Sequence, residues 1–267
     1  MRALVTGCAG FVGSHLVDRL LVDGWDVIGY DNLSSGKREN LPTDPTFKFY
    51  QGDIGDWDML DMAFGAGVDA VFHQAAATMP YCDNPARAFM VNANGSLRVA
   101  LLSIKHKVPK FVYASTCSVY GDCAFADEQT PPKPNGVYAS SKLAGEYAIQ
   151  SVRDCCVLRY ASLYGPRHWG GVIQKWQRQM SDGEPVTIYG DGEQTRTMTH
   201  VADVIEANIR ALELDGVHNV AGPRAYTMNE VSDLMGVKER DYIPDTTEAP
   251  RHSVIESDLG HGRPFCV

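Results

Sequence analysis

Residues 2–13 read Arg2-Ala3-Leu4-Val5-Thr6-Gly7-Cys8-Ala9-Gly10-Phe11-Val12-Gly13. An apolar, strand-like run stops at three glycines spaced three apart, and a helix-like stretch follows. Each glycine has a distinct use in such a turn. Gly7 permits the tight turn, Gly10 lets backbone approach a pyrophosphate, and Gly13 allows the helix to pack closely on the strand. A diphosphate would then rest on the helix N-terminus, where backbone N–H groups have no partner within the helix. Strand, glycine turn and helix in that order are the context a dinucleotide fingerprint requires. The alternative is that the glycines merely close a turn.

The pattern continues along the chain. Short apolar runs at 4–6, 27–30, 47–50, 70–72, 111–114 and 155–160 read as strands. Longer segments at 11–21, 57–64, 86–104 and 138–152 read as helices. This alternation predicts a parallel sheet with helices on both faces. Beyond residue 160 the pattern loosens. A Gly/Arg-rich loop (164–171) leads to a helix near 172–180, a strand at 186–189, a Gly190-Asp191-Gly192 turn, helices near 201–212 and 228–235, and a Pro-punctuated tail. The expectation is a dinucleotide-binding domain over residues 1–160. Residues 161–267 then form mainly a smaller substrate lobe, with some segments returning to the first domain.

Of the bulk properties, charge and cysteine content narrow the function. A formal net charge of -9 argues against a nucleic-acid partner. Seven cysteines in 267 residues, without a C-x-x-C pair, do not form a disulfide framework. Reduced thiols and a cytoplasmic location are the expectation. The chain opens in a strand pattern with no signal peptide ahead of it, and no apolar run is long enough for a membrane span. His73 reads as a hydrogen-bonded strand-end histidine. No His/Cys/Asp cluster has metal spacing, so no metal is expected.

The chemistry enters at Val137-Tyr138-Ala139-Ser140-Ser141-Lys142. A tyrosine and a lysine four apart share one face of a helix. An ammonium beside a phenol favours the phenolate, and should draw its pKa below about 10. Such a phenol can serve as a general base near neutral pH. Asp31 closes the second strand. A carboxylate there accepts hydrogen bonds from ribose hydroxyls and repels a 2′-phosphate, which predicts NAD over NADP. Lys37 and Arg38 follow; they could reach such a phosphate, or be solvated loop charges.

Together with these motifs, several strings resemble the extended short-chain dehydrogenase/reductase family, and within it the NAD-dependent sugar-nucleotide epimerases. They include Asp31-Asn32-Leu33-Ser34-Ser35-Gly36, Gly52-Asp53-Ile54, His73-Gln74-Ala75-Ala76, Val91-Asn92, Ser115-Thr116-Cys117-Ser118-Val119-Tyr120-Gly121, Leu158-Arg159-Tyr160, Tyr164-Gly165-Pro166-Arg167 and the 189–196 string ending in Thr195-Arg196. They run in family order over nearly the whole chain. The resemblance implies a Rossmann-type doubly wound α/β fold and a UDP-sugar 4-epimerase working through a transient keto-sugar. Thr116, Tyr138 and Lys142 would be catalytic. Gly7, Gly10, Phe11, Val12, Gly13, Asp31, Asn32, Ser34, Ser35 and Gly36 would hold the NAD. So would Asp53, Ile54, Gln74, Ala75, Ala76, Asn92, Ser115 and Tyr160. Thr78, Ser118, Ser162, Val172, Trp176, Tyr189, Arg196, Arg251 and Ser253 would face the UDP-sugar, the two arginines clamping its diphosphate. A homodimer paired through helices 86–104 and 138–152 is also implied.

Other readings stay open at particular residues. Asp53 could cap the next helix. Arg251 could be a solvated charge, and Ser253 an ordinary exposed serine. Arg251-His252-Ser253 and 172–176 resemble strings of UDP-N-acetylglucosamine 4-epimerases, and a serine at 253 leaves room for an N-acetyl group. Sugar-nucleotide 4,6-dehydratases and UDP-glucuronate decarboxylases share the first oxidation but carry acids after the catalytic Thr. This chain has Cys117 and Ser118 there. A non-catalytic nucleotide-binding regulator is the remaining alternative. Where the family often has R-Y-F-N, this chain has Arg159-Tyr160-Ala161-Ser162, which puts one sugar or phosphate hydrogen bond in doubt.

Overall fold

The structure, a computed structural model, describes residues 1–78, 84–245, 252–259 and 262–266. Its first layer runs β1 (Arg2–Thr6), α1 (Phe11–Val22), β2 (Asp26–Asp31), β3 (Phe47–Gln51), α2 (Trp57–Phe64) and β4 (Ala70–His73). Next come α3 (Pro85–Phe89), a π-helical turn (Met90–Gly95), α4 (Ser96–Lys105), β5 (Lys110–Thr116), β6 (Phe125–Ala126), α5 (Gly136–Ile149) and β7 (Cys155–Tyr160). The remainder carries β8 (Ser162–Tyr164), α6 (Val172–Ser181), β9 (Val186–Tyr189), β10 (Thr195–His200), α7 (Val201–Arg210) and β11 (Gly216–Val220). It ends with β12 (Ala225–Thr227), α8 (Met228–Leu234), β13 (Arg240–Ile243) and β14 (His252–Ile255).

The central sheet has seven strands in the order β11-β7-β5-β4-β1-β2-β3, and every pairing is parallel. Strand order reverses at β1, so the crevice beyond the carboxyl ends of β1 and β4 is where a doubly wound sheet takes its ligand. Period-two alternation sends Ala3 and Val5 to one face and Leu4 to the other. The first face buries Leu16, Val17 and Leu20 of α1 with Val204 and Ala207 of α7. The second buries Leu60 and Phe64 of α2, Val99 and Leu102 of α4, and Ile149 of α5. Each such side chain contributes roughly 1.5–3 kcal/mol on leaving water. That is the parallel sheet with helices on both faces that the alternation predicts, and the doubly wound Rossmann-type fold that the resemblance implies.

The helix expected over 86–104 is interrupted. Residues Met90–Gly95 widen into a π-turn, a device often found at functional sites. Within it the Asn92 side chain accepts from Ala77 N at 2.8 Å and donates to Ala77 O at 3.0 Å, while the Ser96 hydroxyl donates to the Asn92 carbonyl at 2.6 Å. The Ser96 bond competes with the regular helical ladder for the Asn92 carbonyl.

Past residue 160 the strands are short and their partners distant. β10 is the hub of a second sheet, pairing parallel with β8 and β14 and antiparallel with β12. β9 pairs with β13, while β11 and α7 join the large layer. The second lobe packs around Tyr164, Ile173, Trp176, Ile188, Met198 and Tyr226. Trp176, expected to face substrate, is instead 1% exposed, and its indole donates to Thr187 O at 2.8 Å. It is a core residue of this lobe, because α6 turns that face onto β9. Among the described residues no helix is long and apolar enough to cross a membrane.

Candidate active site

A cleft of about 410 Å³ runs along the carboxyl ends of β1, β2, β4 and β5. At one end lies the glycine turn. Gly7 has φ +72, and a Cβ there would meet Ala75 N at 2.7 Å. A Cβ on Gly13 would meet Gly7 O at 2.0 Å. Helix α1 starts at Gly10 with no side-chain cap and no acidic residue in its first turn. Side-chain-free backbone beside an uncapped helix N-terminus fits a cofactor diphosphate.

Asp31 ends β2, 8% exposed. Its two oxygens accept from Ala9 N at 2.9 Å and Leu33 N at 2.7 Å, leaving each able to accept once more. Burial pushes its carboxyl above the usual range, partly offset by these two amides. Asn32 donates to Asp53 at 2.7 Å, and Gly55 N donates to the other Asp53 oxygen at 2.8 Å. Asp53 therefore does not cap α2; Asp56 does, through Met59 N. Ser34, Ser35, Gly36, Ile54, Gln74, Ala75, Ala76 and Thr78 line the same cleft. Asn92 does not. It is fully buried and holds the loop at Ala77 from behind.

At the far end β5 delivers Ser115 and Thr116, and α5 delivers Tyr138 and Lys142. Tyr138 is half-buried, Lys142 fully buried. The pKa relation expected from their spacing does not hold here. Burial pushes the Tyr138 phenol up to about 12, with a hydrogen bond to Thr116 pulling the other way. Burial pulls Lys142 down to about 7, and the Glu146 carboxylate opposes that. Desolvation is the largest cause at both groups, because each charged form would lose hydration there. The Lys142 ammonium lies 4.2 Å from the centroid of the Tyr113 ring.

Glu146 extends the Tyr138–Lys142 face by one more turn. It takes two bonds from Arg159 of β7, at 3.0 and 2.7 Å, and one from the Ser115 hydroxyl. Arg159 also donates to Tyr120 Oη at 3.0 Å. Tyr160, Gln74 and Asn208 close a ring of hydrogen bonds at 3.2, 2.9 and 2.8 Å. Glu146 could have been found from the i,i+4 spacing. Asn208 of α7 had no sequence signal, since only the strand order brings it to Gln74. His73 is fully buried between Thr6 and Ser96, at 2.6 and 2.9 Å. Burial and then the Lys142 charge pull it down to about 3, so it stays neutral at physiological pH.

The residues expected to face substrate are scattered more widely. Ser118 is exposed beside Thr116, whose hydroxyl donates to it at 3.1 Å. Arg196 is half-buried on β10, and its backbone partner on β14 is Ser253. Tyr189 sits under Lys175, whose ammonium is 5.2 Å from the ring centroid. Ser162 pairs with Met198, and Val172 opens α6 at the surface. Arg251 lies outside the described residues. The cleft also takes in Arg167, which closes the Tyr164–Arg167 string, and Arg87, His168 and Trp169, which the motifs did not single out.

Residues 3–224 match the NAD dependent epimerase/dehydratase family. The chain belongs to that family. NAD is its cofactor, and the glycine turn, the uncapped helix and Asp31 fit that molecule. A UDP-glucose 4-epimerase of Mycolicibacterium smegmatis is 38% identical over 79% of this chain and 73% of its own. UDP-glucuronic acid decarboxylase 1 of Arabidopsis thaliana is 32% identical over 94% of this chain and 62% of its own. The solved Thermotoga maritima UDP-glucose 4-epimerase with UDP-glucose superposes with a TM-score of 0.90, at 36% identity, covering 97% of this chain and 91% of that one. A UDP-N-acetylglucosamine 4-epimerase of Methanobrevibacter ruminantium, in complex with UDP-N-acetylmuramic acid, also has a TM-score of 0.90, at 32% identity over 97% and 90% of the two chains.

Proposed function

We propose that the protein inverts the configuration at carbon four of a UDP-sugar through a transient keto-sugar. The observation that carries this reading is Tyr138, Lys142 and Thr116 gathered at one end of a cofactor cleft, with no acid following Thr116. NAD, when bound, supplies the reversible hydride acceptor. Tyr138 takes the proton of the carbon-four hydroxyl and later returns it. Thr116 hydrogen-bonds the same oxygen, and Lys142 holds the cofactor's ribose. Arg196 grips the diphosphate while the keto-sugar turns over, so that carbon four is rebuilt from its other face. Cys117, where a dehydratase has an acid, is buried, donates its thiol to Arg159 O at 3.2 Å, and has its pKa raised by burial.

Incubation with a panel of UDP- and dTDP-sugars tests this. Products of unchanged mass and inverted stereochemistry support the epimerase; loss of water or carbon dioxide points to a dehydratase or decarboxylase instead. Within that panel we expect UDP-N-acetylhexosamines to be turned over as well as UDP-hexoses, because Ser253 stands beside Arg196 and is small. Ser253→Tyr should then lower kcat/KM selectively for the N-acetyl substrates. Equal effects on both classes would remove Ser253 as a gate.

The reading includes a homodimer. Leu97, Leu101 and Ile104 form an exposed apolar stripe on α4, and Val137 and Tyr147 are exposed on α5, which packs beside α4. A C₂ contact would cover both. Light scattering at micromolar concentration should give twice the chain mass, and Leu101→Glu should give a monomer.

A further inference from the structure

Lys37 stands where a cation would favour NADP, yet its side chain is drawn elsewhere. Its backbone N donates to Ala9 O at 3.0 Å, and Ala9 N donates to Asp31 at 2.9 Å. Lys37 therefore starts two hydrogen bonds from the carboxylate that would receive the adenosine ribose. A four-carbon stem is long enough to bring an ammonium to a 2′-phosphate there. Instead the ammonium lies 3.0 Å from the ring centroid of Trp169, with Glu39 at 3.5 Å. Arg38 is likewise turned away, donating to Gln51 at 2.7 Å. Trp169, not Lys37, lines the cleft.

Trp169 comes from the loop between β8 and α6, and that loop is pinned across α1. His15 Nε2 lies 2.9 Å from Pro166 O. Arg167 donates to Asp18 at 2.7 Å. The His168 ring stacks on Phe11 with centroids 4.4 Å apart and planes 4° from parallel. These contacts fix the indole over the Lys37 ammonium, where the ring face attracts a cation.

We propose that Trp169 is a cofactor-specificity residue: by capturing Lys37 it leaves Asp31 as the charge a 2′-phosphate would meet, and so excludes NADP. This rests on the NAD reading of the cleft. Calorimetric titration of cofactor-free protein with NAD and with NADP tests it. Trp169 is 45% exposed, so its replacement does not open a core. Trp169→Ala should lower the NAD-over-NADP affinity ratio about fivefold to tenfold, the worth of one charge-assisted phosphate contact. The gain for NADP should fade at high salt. Trp169→Phe keeps a ring and should keep the wild-type ratio. Adding Lys37→Ala to Trp169→Ala should restore it. An unchanged ratio in Trp169→Ala, or a relaxed ratio that survives Lys37→Ala, would overturn the proposal. A wild type without preference for NAD would overturn both it and the reading beneath it.

Discussion

Tyr138→Phe is expected to lower kcat by about a hundredfold to ten-thousandfold. The ring would remain against the same neighbours, so the cleft should keep its shape and NAD affinity should change little. What is lost is, among the described residues, the only phenol that the cleft presents beside both Thr116 and Lys142. Burial pushes this phenol up to about 12 and pulls Lys142 down to about 7. The phenol therefore rests protonated and has to give up its own proton before it can act as the base. Lys142→Ala should be worse overall, because it removes a cofactor contact together with positive charge. Steady-state kinetics with calorimetric NAD binding separate the two variants. Near-normal turnover in Tyr138→Phe would end its assignment as the base.

Arg159→Met is expected to destabilise the fold by about 3–5 kcal/mol. Arg159 and Glu146 are both buried, their side chains 6% and 4% exposed, and they meet through two bonds. Removing Arg159 strands the Glu146 carboxylate in the interior without its two hydrogen bonds, the Lys142 charge one turn away offsetting only part of the loss. Tyr120 Oη would lose a donor as well. Urea denaturation reads the change, and a loss below about 1 kcal/mol would show that the pair is not desolvated in solution. The double variant with Glu146→Gln should recover much of the stability, since neither side chain of the pair then carries a charge. Its activity should stay low, because the Glu146 charge that favours the protonated form of Lys142 is gone. Stability restored without turnover is the outcome that separates an electrostatic role from a structural one.

Local periodicity carried much of this protein's design in plain view. Three glycines three apart, preceded by a strand and followed by a helix, allow one kind of turn, and the clashes a Cβ would meet at Gly7 and Gly13 show why no other residue fits. Asp31 is placed by being the last residue of β2. Tyr138 and Lys142 share a face because a helix repeats every 3.6 residues, and Glu146 follows by the same rule. Those relations depend on neighbours in the chain and hold whatever surrounds them.

Burial and partnership depend on strand order, which no local pattern states. Trp176 looked like a substrate contact until α6 packed it against β9. The Tyr138–Lys142 pair looked self-activating until the interior raised one pKa and lowered the other. Arg159 is thirteen residues past Glu146, and they meet only because β7 lies beside β5 under α5. Lys37 and Trp169 are farther apart still, and their contact requires the second lobe to reach across α1. Chemistry set by spacing was legible residue by residue; chemistry set by desolvation and by remote charge was decided when the sheet brought distant segments together.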